Sequence, residues 1–263
     1  MGDLVVIGDD NWQEFVEPVV DGERKKMGLI PRDYAKYPQG YLMCAKPFDL
    51  PLIDESEWED RIREQEKNQS SLEHIRQQYG LDSLDQNGYG YCWAFSSTKA
   101  VMYVRALNNQ PTKVLSAWAV AAIIKNYRDE GGWGSQSLEW IAANGVPTMD
   151  YWPQRQVRRD LDTPEMRQNA ALHRVTEWMD FDESPSLRRK QVATCLLSNI
   201  PVVGDFNWWG HSVCMIRLLS KTRTRIDNSW TNNWSNNGLG DLDGSKAWPD
   251  GAIAPRVITS ALN

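Results

Sequence analysis

The chain has 263 residues, of which 41% are hydrophobic and 10% aromatic. This composition suffices for one substantial core or two small cores packed together, so we expect an ordinary globular protein. No stretch approaches the roughly 20 apolar residues of a membrane span, and no signal peptide is recognisable, so no membrane partner is expected. The formal net charge of −6 argues against nucleic-acid binding, which generally requires a basic face.

Four cysteines stand far apart in the sequence, at positions 44, 92, 195 and 214. Their spacing matches no compact zinc-ligand pattern, and we expect neither a metal nor an organic cofactor. Low cysteine content fits a reducing compartment, in which Cys44, Cys195 and Cys214 would be small buried hydrophobic side chains. The predicted location is therefore cytoplasmic.

The first 80 residues are predicted to form an N-terminal arm with a charged helical segment. Residues 1 to about 53 are rich in Pro, Gly and Tyr and show little helical or strand periodicity. Ser56, followed three residues later by Glu59, resembles a capping box, and apolar residues at helical spacing continue to Tyr79. We expect one or two surface helices in this second part of the arm.

From Cys92 onward the hydrophobic pattern becomes helical. Trp93, Ala100, Val104 and Leu107 share one face, which predicts a buried helix opened by Cys92. Three more helices are predicted, at 116–132, from about 135 to 144, and near 187–198.

Alternating and short apolar runs dominate the second half of the chain and predict strands at 201–206, 212–219 and 223–228. Helices followed by strands indicate an α+β fold. A cleft between two such lobes is a common place for a peptide or small-molecule site.

Cys92 is a candidate nucleophile because of its position at a helix N-terminus. A thiol attacks carbonyl carbons as thiolate, which a helix N-terminus or a neighbouring imidazolium stabilises near neutral pH. Of the three histidines, His74 and His173 lie in polar helical sequence. His211 follows Asn207-Trp208-Trp209-Gly210 and enters a strand-like run, so it is the best candidate base. Taken singly, a histidine beside aromatic residues is more often a packed core residue.

Two sequence blocks resemble the papain family of cysteine peptidases. Residues 86–96, Gln-Asn-Gly-Tyr-Gly-Tyr-Cys-Trp-Ala-Phe-Ser, resemble the family's active-site segment, with the family's spacing of six between Gln86 and Cys92. Asn228-Ser229-Trp230 resembles its Asn-Ser-Trp motif and begins 17 positions after His211.

The resemblance implies a catalytic role for each matching residue. Cys92 would be the nucleophile, His211 its base, and Asn228 the residue that orients His211. Gln86 and the Cys92 backbone N–H would form the oxyanion hole, and Trp230 would shield the bond between His211 and Asn228 from water.

A third block, around Gly131-Gly132-Trp133-Gly134, resembles the family's substrate-cleft wall. Without side chains, Gly131 and Gly132 would allow an extended substrate to approach and form strand-like hydrogen bonds. Read in isolation, the pair is equally compatible with a simple helix end. The three blocks follow the family's order across 81–263, which implies a papain-like two-lobe fold: a helical lobe, then an antiparallel β lobe, with the active-site cleft between them.

The sequence also departs from the family pattern. Tyr89 stands where secreted members have a cysteine, which supports a disulfide-free, intracellular form, and Thr231 replaces the usual glycine after the Asn-Ser-Trp block. The arm lacks the helical pro-segment motif of secreted members. It is interpreted as a pro-segment of another kind, a docking arm that wraps a partner, or packing for the β lobe.

Three functional hypotheses follow. The leading one is hydrolysis of a peptide or protein substrate through a Cys-His-Asn triad and an acyl-enzyme intermediate. A transferase or cell-wall amidase is the second. The third is a structural or assembly protein with little or no turnover, whose cleft is blocked by its own arm or by neighbours. Arm-bearing proteins similar to this one occur in bacterial and phage genomes, so this last hypothesis includes a virion-associated component whose arm contacts an assembly partner.

Overall fold

The computed structural model describes residues 3–40 and 42–259. Its α-helices are α1 (Trp58–Lys67), α2 (Leu72–Tyr79), α3 (Cys92–Leu107), α4 (Ala117–Ile124), α5 (Gly134–Asn144), α6 (Pro164–Ala171) and α7 (Pro185–Leu197). Its strands are β1 (Val6–Ile7), β2 (Val19–Val20), β3 (Glu23–Arg24), β4 (Ala45–Pro47), β5 (Val175–Asp180), β6 (Val202–Phe206), β7 (His211–Ser220), β8 (Arg223–Asp227), β9 (Leu239–Asp243) and β10 (Gly251–Ile258). None of these helices is long and apolar enough to cross a membrane.

Eight strands form one sheet in the order β1-β9-β8-β7-β6-β10-β5-β4. The six inner strands pair antiparallel, as expected for the β lobe. The two outer strands, β1 and β4, come from the N-terminal arm and pair parallel with β9 and β5. The arm therefore closes both edges of the sheet, and β2 and β3 form a separate two-stranded hairpin.

The sheet has helices on both faces, and β7 shows why. Cys214 and Ile216 pack into the core around α3, α4 and α5, whereas Val213 and Met215 pack into the core that includes α7. This alternation is the period of two expected for a strand covered on both sides. Almost every side chain of α3 is buried, because this helix lies between the sheet and the other helices.

Several predicted elements are confirmed. The helix opened by Cys92 is α3, the helices predicted near 135 and 187 are α5 and α7, and the three predicted strands are β6, β7 and β8. The helix predicted at 116–132 is too long, because α4 ends at Ile124. Strands β5, β9 and β10 have no counterpart among the predicted elements.

The helical part of the arm differs from expectation at its start. Ser56 makes no capping box; its hydroxyl donates to Asp54, and α1 begins at Trp58. Most side chains of α1 are exposed, so α1 is a surface helix as predicted, anchored by the fully buried Trp58. In α2 three of the eight side chains are buried, among them Leu72. Leu72 shares a core with Leu81, and the division of the chain at residue 80 stays a prediction.

Candidate active site

Cys92 is the first residue of α3, and its side chain is fully buried. Burial raises the pKa of the Cys92 thiol to about 12, although the backbone N–H groups of Ser212 and Gly28 donate to its sulfur and lower it. The carboxylate of Asp205 raises it further. Ser212 directly follows His211 in β7, so β7 brings the backbone next to His211 close to the sulfur, while no hydrogen bond joins the sulfur and the His211 ring among the described residues.

His211 is the first residue of β7 and is also fully buried. Its Nε2 donates to Oδ1 of Asn228 at 2.8 Å, and the other ring nitrogen, Nδ1, has no hydrogen-bond partner among the described residues. Trp230 stacks on the imidazole at 4.8 Å between ring centroids, and Trp209 meets it edge-on at the same distance. The Asn228 contact thus fixes one tautomer and leaves Nδ1 free to exchange a proton.

The two groups are both neutral in this arrangement. Burial lowers the pKa of His211 to about 4, although its hydrogen bond with Asn228 raises it. With Cys92 near 12, a thiol and an uncharged imidazole are the stable forms at neutral pH. The expected stabilisation of the thiolate by an imidazolium is therefore absent here, because the cost of charging two dehydrated groups exceeds the help from backbone N–H groups.

Gln86 contacts Ser229, the residue after Asn228, and is fully buried. Its Oε1 accepts a hydrogen bond from the Ser229 hydroxyl at 2.6 Å, which orients the amide. Its Nε2 donates to the carbonyl oxygens of Tyr89 at 2.8 Å and of Lys26 at 2.9 Å. A carbonyl of the arm therefore occupies the donor that the resemblance assigns to the oxyanion.

The arm crosses the groove as an extended stretch, residues 25–32, called here the cleft segment. The Leu29 N–H donates to the carbonyl of Gly210 at 3.0 Å. Gly132 makes two bonds with the segment: its N–H donates to Gly28 at 2.9 Å, and its carbonyl accepts from Ile30 at 2.8 Å. These bonds form a parallel bridge between Leu29 and Gly132. Gly132 thus binds an extended peptide through its backbone.

Three glycines permit this close approach. A Cβ on Gly131 would lie 2.6 Å from the carbonyl oxygen of Gly28, and one on Gly132 would lie 2.7 Å from the Trp93 ring. A Cβ on Gly28 would lie only 2.0 Å from the carbonyl oxygen of Gly90. Since backbone atoms cannot yield that far, the cleft segment fits only with glycine at position 28.

Three ion pairs hold the cleft segment in place, and the segment contributes the cation to each of them. Lys25 is fully buried, with its Nζ 3.2 Å from Asp85. Lys26 pairs with Asp129 at 2.7 Å on the more exposed side. At the other end, Arg32 donates two bonds to the buried carboxylate of Asp180, at 2.8 and 2.9 Å. In each pair the arm supplies the cation and the rest of the protein supplies the acid.

A buried network holds Asn228 in place. Asp227, its neighbour at the end of β8, accepts the Tyr103 hydroxyl at 2.7 Å and lies 3.2 Å from Lys99 and 3.3 Å from Arg76. Tyr103 and Lys99 belong to α3, so this network ties Asn228 to the helix that carries Cys92.

Thr231, which replaces the family's glycine, has a φ of 71°, in the left-handed region. Its amide donates to Leu84 at 3.1 Å. The threonine therefore keeps the backbone conformation that glycine adopts without strain.

Sequence reasoning missed two parts of this site. The sequence places Gly28 and its basic neighbours in an extended arm without linking them to the cleft, although a glycine between apolar residues, next to a Lys-Lys pair, was the available signal. Asp205, which lies beside Ser212, had no local signal at all.

The expectation for Cys44 was wrong: it is exposed, whereas Cys195 and Cys214 are buried as predicted. No group of three or more His, Cys, Asp or Glu side chains suited to a metal occurs in residues 3–40 and 42–259.

Comparison with known proteins places this geometry in a family. The family described as "Papain family cysteine protease" matches residues 74–217, more than half of the chain. No curated protein matches the sequence.

Solved structures share the fold at low sequence identity. Xylellain, a cysteine protease from Xylella fastidiosa, has a TM-score of 0.63 and 15% identity, over 91% of this chain and 99% of that one. Procathepsin L2 from the Tenebrio molitor larval midgut has a TM-score of 0.60 and 17% identity, over 90% and 78%. For procathepsin L 3 from the same source the values are 0.56 and 16%, over 67% and 66%. The family match and the shared fold together show that this chain belongs to the papain family of cysteine proteases and is a cysteine peptidase.

Proposed function

We propose that this protein hydrolyses peptide bonds through a triad of Cys92, His211 and Asn228, and that the cleft segment keeps the site latent. The observation that carries the proposal is the state of the His211 ring. Its Nε2 is committed to Asn228 and its Nδ1 is unpartnered, while the next residue in the chain touches the sulfur of Cys92.

The chemistry follows from these positions once a substrate replaces the cleft segment. The Cys92 sulfur attacks the scissile carbonyl carbon as its proton passes to Nδ1 of His211. Gln86 Nε2 and the Cys92 backbone N–H stabilise the oxyanion. His211 then returns the proton to the leaving amine, and a water molecule, activated by the same imidazole, hydrolyses the thioester.

The cleft segment occupies the site without being a substrate. It runs parallel to Gly132, and the group that reaches the Cys92 sulfur is the N–H of Gly28 rather than a carbonyl carbon. The carbonyl that Gln86 binds is that of Lys26, two positions before Gly28, so it is not the carbonyl nearest to the Cys92 sulfur. This arrangement blocks entry and offers no bond for attack.

Labelling of Cys92 by a thiol-directed peptide electrophile tests the proposal. The parent chain should react slowly, with a rate that keeps rising through pH 9, because the Cys92 pKa is about 12. Gly28→Ala, which expels the cleft segment, should react at least about tenfold faster. Its rate should level off near neutral pH, because solvent then reaches both groups and the ion pair can form.

The control excludes labelling of cysteines other than Cys92. Both chains carry Cys44→Ser, since Cys44 is exposed and would react on its own, and peptide mapping by mass spectrometry should find Cys214 unmodified. A folded Gly28→Ala chain that leaves Cys92 unlabelled would contradict the proposal.

Gln86→Ala should lower kcat by about 10²- to 10³-fold, the usual effect of losing one oxyanion donor. The measurement belongs in the Gly28→Ala chain, because Gln86 also holds the Lys26 carbonyl and its loss would loosen the cleft segment. Gln154→Ala, an exposed glutamine outside the groove, is the matched control. An unchanged kcat for Gln86→Ala would remove this residue from the mechanism.

A second candidate function rests on the occupied cleft: an assembly protein with a papain fold and little or no turnover. It predicts that neither the Gly28→Ala chain nor the parent chain cleaves any peptide of a peptide library, although both are folded. The transferase or amidase alternative predicts an amine-exchange product in place of hydrolysis, which mass spectrometry of the same library would detect.

A further inference from the structure

A small cavity of about 40 Å³ lies beside the cleft segment, between the arm and the sheet. Arg32 and Tyr34 line it on the arm side. Asp205 and Asp250 line it on the sheet side, together with backbone of β10. The carboxyl groups of Asp205 and Asp250 therefore line the same cavity as Arg32 of the chain's own arm.

Asp205 has spare hydrogen-bonding capacity in this cavity. Its Oδ2 accepts the N–H of Gly134 at 3.1 Å. The Ser212 hydroxyl lies nearby and is bonded to the Ser96 hydroxyl at 2.8 Å, while the buried Oδ1 of Asp205 makes no hydrogen bond among the described residues. Burial raises the pKa of Asp205 to about 6, while the Ser212 hydroxyl, the Gly134 amide and the nearby Arg32 lower it. A buried acceptor oxygen without a donor is costly, so a donor placed there would bind favourably.

The cavity adjoins the catalytic groups. Strands β6 and β7 pair so that Asp205 lies opposite Ser212 and Phe206 lies opposite His211. Ser212 in turn donates to the Cys92 sulfur. A peptide bound along Gly132 with its scissile bond at Cys92 would therefore pass within one side-chain length of Asp205.

The cleft segment shows which chemistry the groove accommodates. This segment, residues 25–32, carries three basic side chains and no acidic one. Arg32, at the cavity, has its guanidinium bonded to Asp180, and the two side chains are 5% and 1% exposed. When the cleft segment leaves, Asp180 loses this cation, and the Gly40 N–H, which lies outside the segment, is only a neutral donor to it. An unpaired buried carboxylate is unfavourable, so another cation is favoured in the same place.

We propose that Asp205 and Asp180 form a subsite for an arginine or lysine side chain of the substrate, and that Arg32 fills this subsite while the protein is latent. This inference rests on the proposed peptidase function and adds a substrate class: peptides with a basic residue near the scissile bond. The remaining acids of the groove, Asp85 and Asp129, would favour the approach of such peptides once Lys25 and Lys26 have withdrawn.

The test compares arginine with citrulline, which has nearly the same shape and no charge. Peptides carry one or the other at each of three positions on either side of the cut, and kcat/KM is measured for the Gly28→Ala chain. One position should prefer arginine by at least about tenfold. Asp205→Asn, added to Gly28→Ala, keeps an acceptor for the Gly134 N–H. It should bring the ratio of kcat/KM between the arginine and citrulline peptides close to one. Asp160→Asn, an exposed carboxylate, should leave it unchanged.

A binding measurement separates this inference from the proposed function. The Cys92→Ala, Gly28→Ala chain is titrated with the same fluorescent peptides and followed by anisotropy. Tighter binding of arginine than citrulline, lost with Asp205→Asn, supports the subsite even if no peptide is cleaved. Cleavage or binding without an arginine preference, or with a preference that survives Asp205→Asn, overturns the subsite and leaves the peptidase function standing.

Discussion

Cys92→Ala in the Gly28→Ala chain is expected to lower kcat/KM toward peptides by about 10⁴-fold or more. Removing the nucleophile of a covalent mechanism leaves only the contribution of binding and of the oxyanion donors. Cys92→Ser should lose nearly as much, because a hydroxyl beside a neutral imidazole is a far weaker nucleophile than a thiol. Initial rates with a quenched fluorescent peptide, at enzyme concentrations verified by folded-state spectra, measure both losses.

The comparison with His211 makes this result specific. If Cys92 and His211 act as one unit, His211→Ala should cost about as much as Cys92→Ala, and the double variant should be no worse than either single variant. Cys44→Ala, an exposed cysteine outside the groove, should keep full activity. Activity above about one per cent in a purified Cys92→Ala chain would end the case for Cys92 as nucleophile.

Gly28→Ala is expected to raise peptide hydrolysis by about 10- to 100-fold over the parent chain. The added methyl group would meet the Gly90 carbonyl at 2.0 Å, so the closed arrangement must give way. Overpacking of this kind costs about 1–3 kcal/mol or more, and each 1.4 kcal/mol shifts the open fraction by tenfold. The gain should lie in the fraction of competent enzyme, with the KM of the open form unchanged.

Gly8→Ala is the matched control for the arm. Gly8 lies in the same arm, but a Cβ there would have no neighbour closer than 4.0 Å, so neither stability nor activity should change. Active-site titration would show whether the number of reactive sites has increased. A Gly28→Ala chain as inactive as its parent, but folded and with an accessible Cys92, would favour the assembly role over a latent peptidase.

The proposed latency would also have an electrostatic cause. The cleft segment excludes water from Cys92 and His211, and their pKa values of about 12 and 4 are what such exclusion produces in a thiol and an imidazole. Departure of the segment would therefore do two things at once: it would free the Gln86 amide for its proposed role as oxyanion donor, and it would rehydrate Cys92 and His211.

The local blocks of the site were readable from the sequence because their geometry depends on short stretches of chain. Gln86 and Cys92 lie six positions apart around the start of one helix, and the apolar face from Trp93 to Leu107 predicts that this helix is buried. Asn228-Ser229-Trp230 is equally compact. Such motifs need only a turn and a helix or strand end to place their side chains, so the sequence by itself determined the family and the candidate chemistry.

Only the tertiary structure decided what fills the cleft and in which protonation state the site rests. The bridge between Leu29 and Gly132 and the pair of Arg32 with Asp180 join residues about 100 or more positions apart, and no local pattern encodes such contacts. The same holds for Asp205, whose role depends on the register between β6 and β7. Burial, which sets the pKa values of Cys92 and His211, is likewise a property of the whole fold, because it depends on every segment that packs over these two side chains.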